Sequence, residues 1–518
     1  MKNFSFETPS NINPTDYILQ NILHRLIIAV ISFPLILSAA GCGGASELTG
    51  ESGFQALQKN INDKFDEPDF SNAYWGAAIK SLNTGKTWYS RNADKLFMPA
   101  SNEKIPTGAS ALVTLGPDFK FETDLCYNGT IIDSVLNGDL IVFGNGDPTL
   151  YTRFYDDPRE LFDSWAAKLK EIGIKRINGN IIGDDNAFGE DSLGYGWSYD
   201  GLVWWYSAQV GALQLNENYV DLKIVPPDSI GSDVKIIPNL PSNYYNIKNE
   251  ITIQDTGRTR VTADRGCGSN EIILSGAVKR GGKPFTISPT ISNPTLFYTT
   301  VLKEVLDSLG ISVIGRPEDC DNISNWNHKA ADFVLLDAHY SAPLKDILTV
   351  MLKRSQNLYA ETFARVLGLA ASGRGTFSAG KKVVEEVLEK FGIEKGTYRY
   401  MDGSGLSRYD YISPDQILKI LIAMYNSPYR EVWYNALPIA GIDGTLRGRM
   451  KGTAAEGNAR AKTGTISNVR ALSGYVTTAS GEMLAFSFLV NAHLMTARDT
   501  ERITDGVLEL LASYKGSF

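Results

Sequence analysis

The chain has 518 residues, more than one hydrophobic core holds, and its length points to about three domains. Apolar content of 43% is ordinary for a soluble protein, and a net charge of −8 with no basic stripe argues against a nucleic-acid-binding surface. The four histidines, His24, His328, His339 and His493, form no His-x-x-x-His pair or His/Cys cluster, so no metal site is expected. Their scarcity also counts against a Ser-His-Asp triad, and there is no Gly-x-Ser-x-Gly elbow; a serine nucleophile here needs a lysine base.

The N-terminus comes first. Arg25 to Leu37 is apolar, contains Pro34 and is too short to span a membrane, which suits the core of a signal peptide over residues 1–41. Ser38-Ala-Ala-Gly-Cys42 resembles a lipoprotein cleavage box, with Cys42 as the lipidated first residue and 42–53 as a tether; ordinary cleavage after small residues is the competing reading. Export permits one disulfide and one free thiol among Cys126, Cys267 and Cys320, with the pairing open.

Ser101-Asn-Glu-Lys104 follows Met98-Pro-Ala and precedes a run of small and apolar residues suited to a buried helix. Serine and lysine three apart on one helical face put the amine within reach of the hydroxyl. Ser-x-x-Lys also occurs at Ser232, in a β-like run closed by proline, and at Ser378, where a helix N-cap accounts for it. An N-cap alone would account for Ser101 too, so later motifs must decide. Between Ser101 and the next motif lies a long stretch that is mostly β, with runs at Asp139–Phe143, Ile177–Ile182, Tyr219–Val225 and Glu271–Ser275. One amphipathic helix is expected over Thr295–Gly310, ending on a capping glycine. The stretch includes Gly194–Tyr206, the densest aromatic run in the chain. Core packing explains most such runs, but with Asp200 this one would also suit the amino and carboxyl end of a diamino acid side chain.

Ser355-Gln-Asn357 falls between two helical patterns, where polar side chains at a junction can face a cleft. Lys462-Thr-Gly464 reads as an edge strand followed by a turn and two more strands, its glycine allowing close approach of substrate backbone. Ser-x-Asn also occurs at Ser81 and Ser90, yet only Ser355 lies between Ser101 and the one Lys-Thr-Gly. The gap from Ser101 to Ser355 is more than twice that from Ser355 to Lys462, so a large insertion follows the Ser101 helix.

With these three motifs, and with Gly146-Asp-Pro-Thr-Leu150, Asp402–Arg408, Leu437–Gly441, Asp443–Leu446 and Ala461–Thr465 in the same order, the chain resembles the D-alanyl-D-alanine carboxypeptidase/endopeptidases. These are the class C low-molecular-mass penicillin-binding proteins. The resemblance runs from about Phe54 to the C-terminus. It departs at Pro106, inside the first turns of the Ser101 helix, and at Gln356, where an acidic residue is expected.

The resemblance implies a mixed α/β (α+β) fold: a transpeptidase-like domain with an antiparallel sheet and flanking helices (54–121 and 336–518). Two nested, mostly β domains are inserted, one over 122–222 and 286–335, the other over 223–285. It implies a serine peptidase without cofactor, acting on peptidoglycan stem peptides in the periplasm and inhibited by β-lactams; the lipid expected at Cys42 would hold it to the membrane. Ser101 is then the nucleophile and Lys104 its base, its amine kept neutral by burial and by the charge of Lys462. Ser355 relays a proton between Lys104 and the leaving amine, while Asn357 and Lys462 position and polarise the scissile group. The N–H groups of Ser101 and Thr465 form an oxyanion hole, each donor worth about 3 kcal/mol. Thr463, Gly464 and Thr465 line the site for the terminal carboxylate. Two other functions compete: a β-lactamase, which lacks an identifiable deacylating glutamate here, and a non-catalytic wall-binding or β-lactam-sensing lipoprotein, disfavoured because every expected position is filled.

Overall fold

Residues 460–491 carry three apolar strands joined by short turns, and they build one end of the main sheet. The computed structural model describes residues 50–189, 191–229, 231–327 and 332–516. The expected signal segment, Cys42 and most of the tether lie outside them. Residues 50–53, expected as tether, instead open a helix, Gly50–Phe65. No helix among the described residues is long and apolar enough to cross a membrane.

The main sheet is antiparallel and has the order Arg460–Ile466, Val469–Thr477, Met483–Asn491, Tyr74–Ser81, Thr87–Arg91. Its first and last stretches of chain pair side by side, Ala77 opposite Phe488, so the whole insertion is looped out between them. Both faces are covered, which is why these strands read as near-continuous apolar runs. Trp75, Ala77, Ile79, Phe486 and Phe488 pack under the helices Gly50–Phe65 and Ala497–Ser513. Ala78, Ala471, Tyr475 and Leu489, of opposite parity within their strands, pack on Lys104–Leu115, Leu344–Arg354, Asn357–Ser372, Phe377–Lys390 and Pro414–Tyr425. Lys104–Leu115 is central, and its residues from Lys104 to Leu112 are all buried. Small residues make that possible: a Cβ on Gly108 would sit 2.9 Å from both Leu348 and Met351. Pro106 is the third residue of this helix, where the backbone N–H has no partner within the helix, so it interrupts nothing.

The insertion is mostly β. A five-stranded sheet runs Pro317–Asp319, Ile181–Asp184, Leu140–Gly144, Glu122–Tyr127, Val334–Tyr340, beside a smaller four-stranded one. Two three-stranded sheets follow in the nested part, one built on Leu222–Val225 and one on Glu271–Lys279. The expected boundaries at 222/223, 285/286 and 335/336 all fall inside strands, and Val334–Tyr340 pairs along Glu122–Tyr127. One apolar core also runs through both inserted parts, from Leu125 and Trp165 to Ile272 and Leu274. The expected helix forms as Pro294–Ser308, with Gly310 left-handed just beyond it. A second helix, Glu160–Glu171, joins it; its buried Leu161, Phe162, Trp165, Ala166 and Leu169 follow a helical period that sequence reading passed over. The cap of Phe377–Lys390 is Thr376, not Ser378. Cys126 and Cys320 are free and buried, Cys267 free and exposed, so the permitted disulfide does not form among them.

Candidate active site

Ser101 lies in a single 3-10 turn, Ala100–Glu103, that leads directly into the Lys104–Leu115 helix. Ala100 is left-handed (φ 47°), an unusual state for a residue with a Cβ, and it turns the chain so that Ser101 faces a cleft. Two glycines hold this turn from either side. A Cβ on Gly405 would meet the Ala100 carbonyl oxygen at 1.8 Å, and one on Gly464 would meet the Pro99 oxygen at 2.7 Å. Gly464 is therefore needed for close packing against the Ser101 turn, and it does not line the cleft as expected.

The Lys104 amine is fully buried and contacts Ser101 Oγ at 3.1 Å, Asn357 Oδ1 at 2.6 Å and the Ser404 carbonyl oxygen at 2.7 Å. Asn357 donates its own Nδ2 to the Tyr206 carbonyl at 2.7 Å, which fixes its oxygen toward the lysine. Two of the three partners are thus pure acceptors. A neutral amine gives its two N–H groups to them and is left with its lone pair on Ser101. Burial pulls the Lys104 ammonium down to about 7, against Asp402, Glu361, Asp410 and Glu103, whose charges oppose the shift. The expected repulsion between Lys104 and Lys462 is expressed at Lys462, which is held well below the usual lysine range, by burial first and by the charge of Lys104 second.

The junction Ser355-Gln356-Asn357 links the helices Leu344–Arg354 and Asn357–Ser372, with Ser355 left-handed (φ 60°, ψ 38°). Ser355 Oγ accepts from Lys462 Nζ at 2.8 Å, and Lys462 also reaches the Thr463 carbonyl at 2.6 Å. The expected partner of Ser355 was Lys104; its hydrogen bond runs to Lys462 instead. Strand alternation turns Thr463 and Thr465 toward the cleft and buries Lys462 and Gly464.

Sequence reading assigned no roles in the Asp402–Arg408 loop, although it singled out the block. Its backbone is tied down by buried carboxylates. Asp402 accepts from the N–H groups of Ser404, Gly405 and Ser407 at 3.1, 2.5 and 2.6 Å, and Glu361 from Gly403 and Ser404 at 2.9 and 3.0 Å. The loop thereby presents the Ser404 carbonyl to Lys104. Burial, then the charge of Asp402, pushes Glu361 up to about 7.

Ser101, Ser355, Asn357, Thr463 and Thr465 line one cleft of about 710 Å³. Asp200, Trp205 and Tyr206 from the insertion line the same cleft, as does Arg408. Asp200 is exposed and accepts a hydrogen bond from Ser198 Oγ. The aromatic run divides its work: Trp197 Nε1 donates to Asp402 at 2.8 Å, while Trp205 and Tyr206 face the cleft.

A buried lysine against a helix-leading serine, a Ser-x-Asn junction and a Lys-Thr-Gly edge strand together define the serine acyl-transfer enzymes that recognise penicillin. A family model described as D-Ala-D-Ala carboxypeptidase 3 (S13) matches residues 57–514, and the chain belongs to that family. A D-alanyl-D-alanine carboxypeptidase of Actinomadura sp. is 32% identical, over 95% of this chain and 91% of the relative. D-alanyl-D-alanine carboxypeptidase DacB of Haemophilus influenzae is 30% identical, over 84% and 88%. The crystal structure of penicillin binding protein 4 (dacB) from Haemophilus influenzae matches with a TM-score of 0.76 at 28% identity, over 88% of this chain and all of that one. The same protein complexed with a β-lactam matches with a TM-score of 0.70.

Proposed function

We propose that this protein is a serine D-Ala-D-Ala carboxypeptidase and endopeptidase of peptidoglycan stem peptides that forms a lasting adduct with β-lactams. The observation that carries the reading is the Lys104 amine, 3.1 Å from Ser101 Oγ and pulled by burial to about 7, where a large fraction is neutral at physiological pH. Ser101 Oγ attacks the carbonyl carbon of the penultimate D-alanine as its proton passes to the Lys104 lone pair. The tetrahedral oxyanion sits between the N–H groups of Ser101 and Thr465. Its collapse breaks the C–N bond, and the leaving amine takes up the proton held on Lys104, relayed by the Ser355 hydroxyl that Lys462 fixes at 2.8 Å, so that Lys104 is neutral again for the next step. Water then attacks the ester and frees Ser101.

Thr463 and Thr465 hold the terminal carboxylate. At the far wall of the cleft, Asp200 and Arg408 offer opposite charges to the zwitterionic end of a diamino acid side chain. The catalytic part, 54–121 with the sheet and helices after Tyr340, carries Arg408, and the insertion supplies Asp200. The protein is exported to the periplasm, with Cys42 as lipid anchor; labelled palmitate should enter the wild type and not Cys42→Ala. Labelling with a fluorescent penicillin, followed by timed release, tests the activity. A slow-decaying one-to-one adduct is expected; rapid turnover would make the protein a β-lactamase, and no labelling would remove the acyl-transfer reading.

A further inference from the structure

Gln356 is the middle residue of the Ser355–Asn357 junction, and its side chain points away from the chemistry. Its Nε2 donates to Glu217 of the insertion, a carboxylate that is 1% exposed. The same carboxylate accepts from Arg153 Nε at 2.7 Å, Tyr219 OH at 2.5 Å and Tyr359 OH at 2.8 Å. Glu217 is reached by an unusual piece of chain: Asn216, Glu217 and Asn218 are all left-handed (φ 54°, 53° and 57°) and all buried. Backbone of this kind persists only where its surroundings over-determine it. Here Asn216 donates to the Tyr219 carbonyl at 2.6 Å and Asn218 to the Gln209 carbonyl at 2.8 Å.

The geometry points to Glu217 as a positioning residue for acyl transfer: through Gln356 it holds the left-handed Ser355 turn so that Ser355 meets Lys462 and Asn357 meets Lys104. The two flanking residues of the junction contact the two lysines, at 2.8 and 2.6 Å, and the middle one is anchored in the inserted domain. This accounts for the departure at position 356. An acid there would face Glu217 across a buried contact, whereas an amide donates to it. The inference rests on the proposed acylation of Ser101.

The test is the second-order rate constant for acylation by a fluorescent penicillin, with the labelled end-point measured alongside. Gln356→Ala removes the tether while leaving Glu217 its other three partners; the rate constant should fall roughly tenfold or more while the end-point stays one to one. Gln356→Glu sets a carboxyl against Glu217, with Arg153, Tyr219 and Tyr359 around it and Asp147 beyond Tyr359. Its rate relative to wild type should be lowest near pH 8. It should recover toward pH 6, as the new carboxyl takes a proton and donates to Glu217. Wild-type rate constants in both variants would overturn the proposal, as would a reduced end-point with an unchanged rate constant, the mark of a purely structural role. An unlabelled wild type would instead overturn the acyl-transfer reading, and this one with it.

Discussion

In the proposed acylation Lys104 has to be neutral to accept the Ser101 proton, and the neutral fraction of an amine rises with pH. With its ammonium pulled to about 7, acylation should climb through that pH and level off above it, where an ordinary lysine would still be climbing near 10. Pre-steady-state acylation measured from pH 5 to 9 checks this. Lys104→Ala should lose about 10²- to 10⁴-fold on the plateau above pH 7, with the midpoint near 7 gone. Asp200→Ala should weaken hydrolysis of a stem peptide ending in a free diamino acid while leaving penicillin acylation near wild type; equal loss of both would remove Asp200 from substrate binding. The side chains proposed to react could be picked out because the chemistry fixes residue type and spacing: Ser101 and Lys104 are three apart, and Ser355 and Asn357 bracket one junction. The surroundings that set the lysine's proton affinity were not. Glu361 comes from one stretch and Asp402 and Asp410 from another, and no local spacing announces that they converge on one amine.

Glycines hold the Ser101 turn where two pieces of backbone nearly touch. Gly405 is left-handed (φ 79°), and a Cβ there would lie 1.8 Å from the Ala100 oxygen. Gly405→Ala should therefore cost more than about 3 kcal/mol in denaturant unfolding and slow acylation of whatever remains folded. A change below about 1 kcal/mol would mean that the loop does not hold the turn. The edge strand, the helix junction and the Pro294–Ser308 helix were readable from periodicity and turn residues. Glu160–Glu171 carried an equally clear period between β-like runs and was passed over. The boundaries drawn at 222/223 and 335/336 cut strands because Leu222–Val225 pairs with residues 235–238 and 285–287, and Val334–Tyr340 with Glu122–Tyr127. Such pairings join residues far apart in sequence, and local pattern does not mark where they stop.

The insertion is more than an appended module. It supplies the Tyr206 carbonyl that orients Asn357, the Trp197 N–H that meets Asp402, and the Glu217 carboxylate behind Gln356. The long gap between Ser101 and Ser355 announced an insertion, and family resemblance implied a nested order within it. Only the folded chain reveals that it reaches back into the catalytic motifs, because those contacts use single residues with no shared pattern. The central claim is that Lys104 activates Ser101. Mass spectrometry of the penicillin-treated protein tests it most directly, by locating the modified peptide in wild type and in Lys104→Ala. One adduct on Ser101 in the wild type, with almost none in the variant over the same time, is the predicted result. An adduct on any other residue, or equally fast modification of Lys104→Ala, would contradict it.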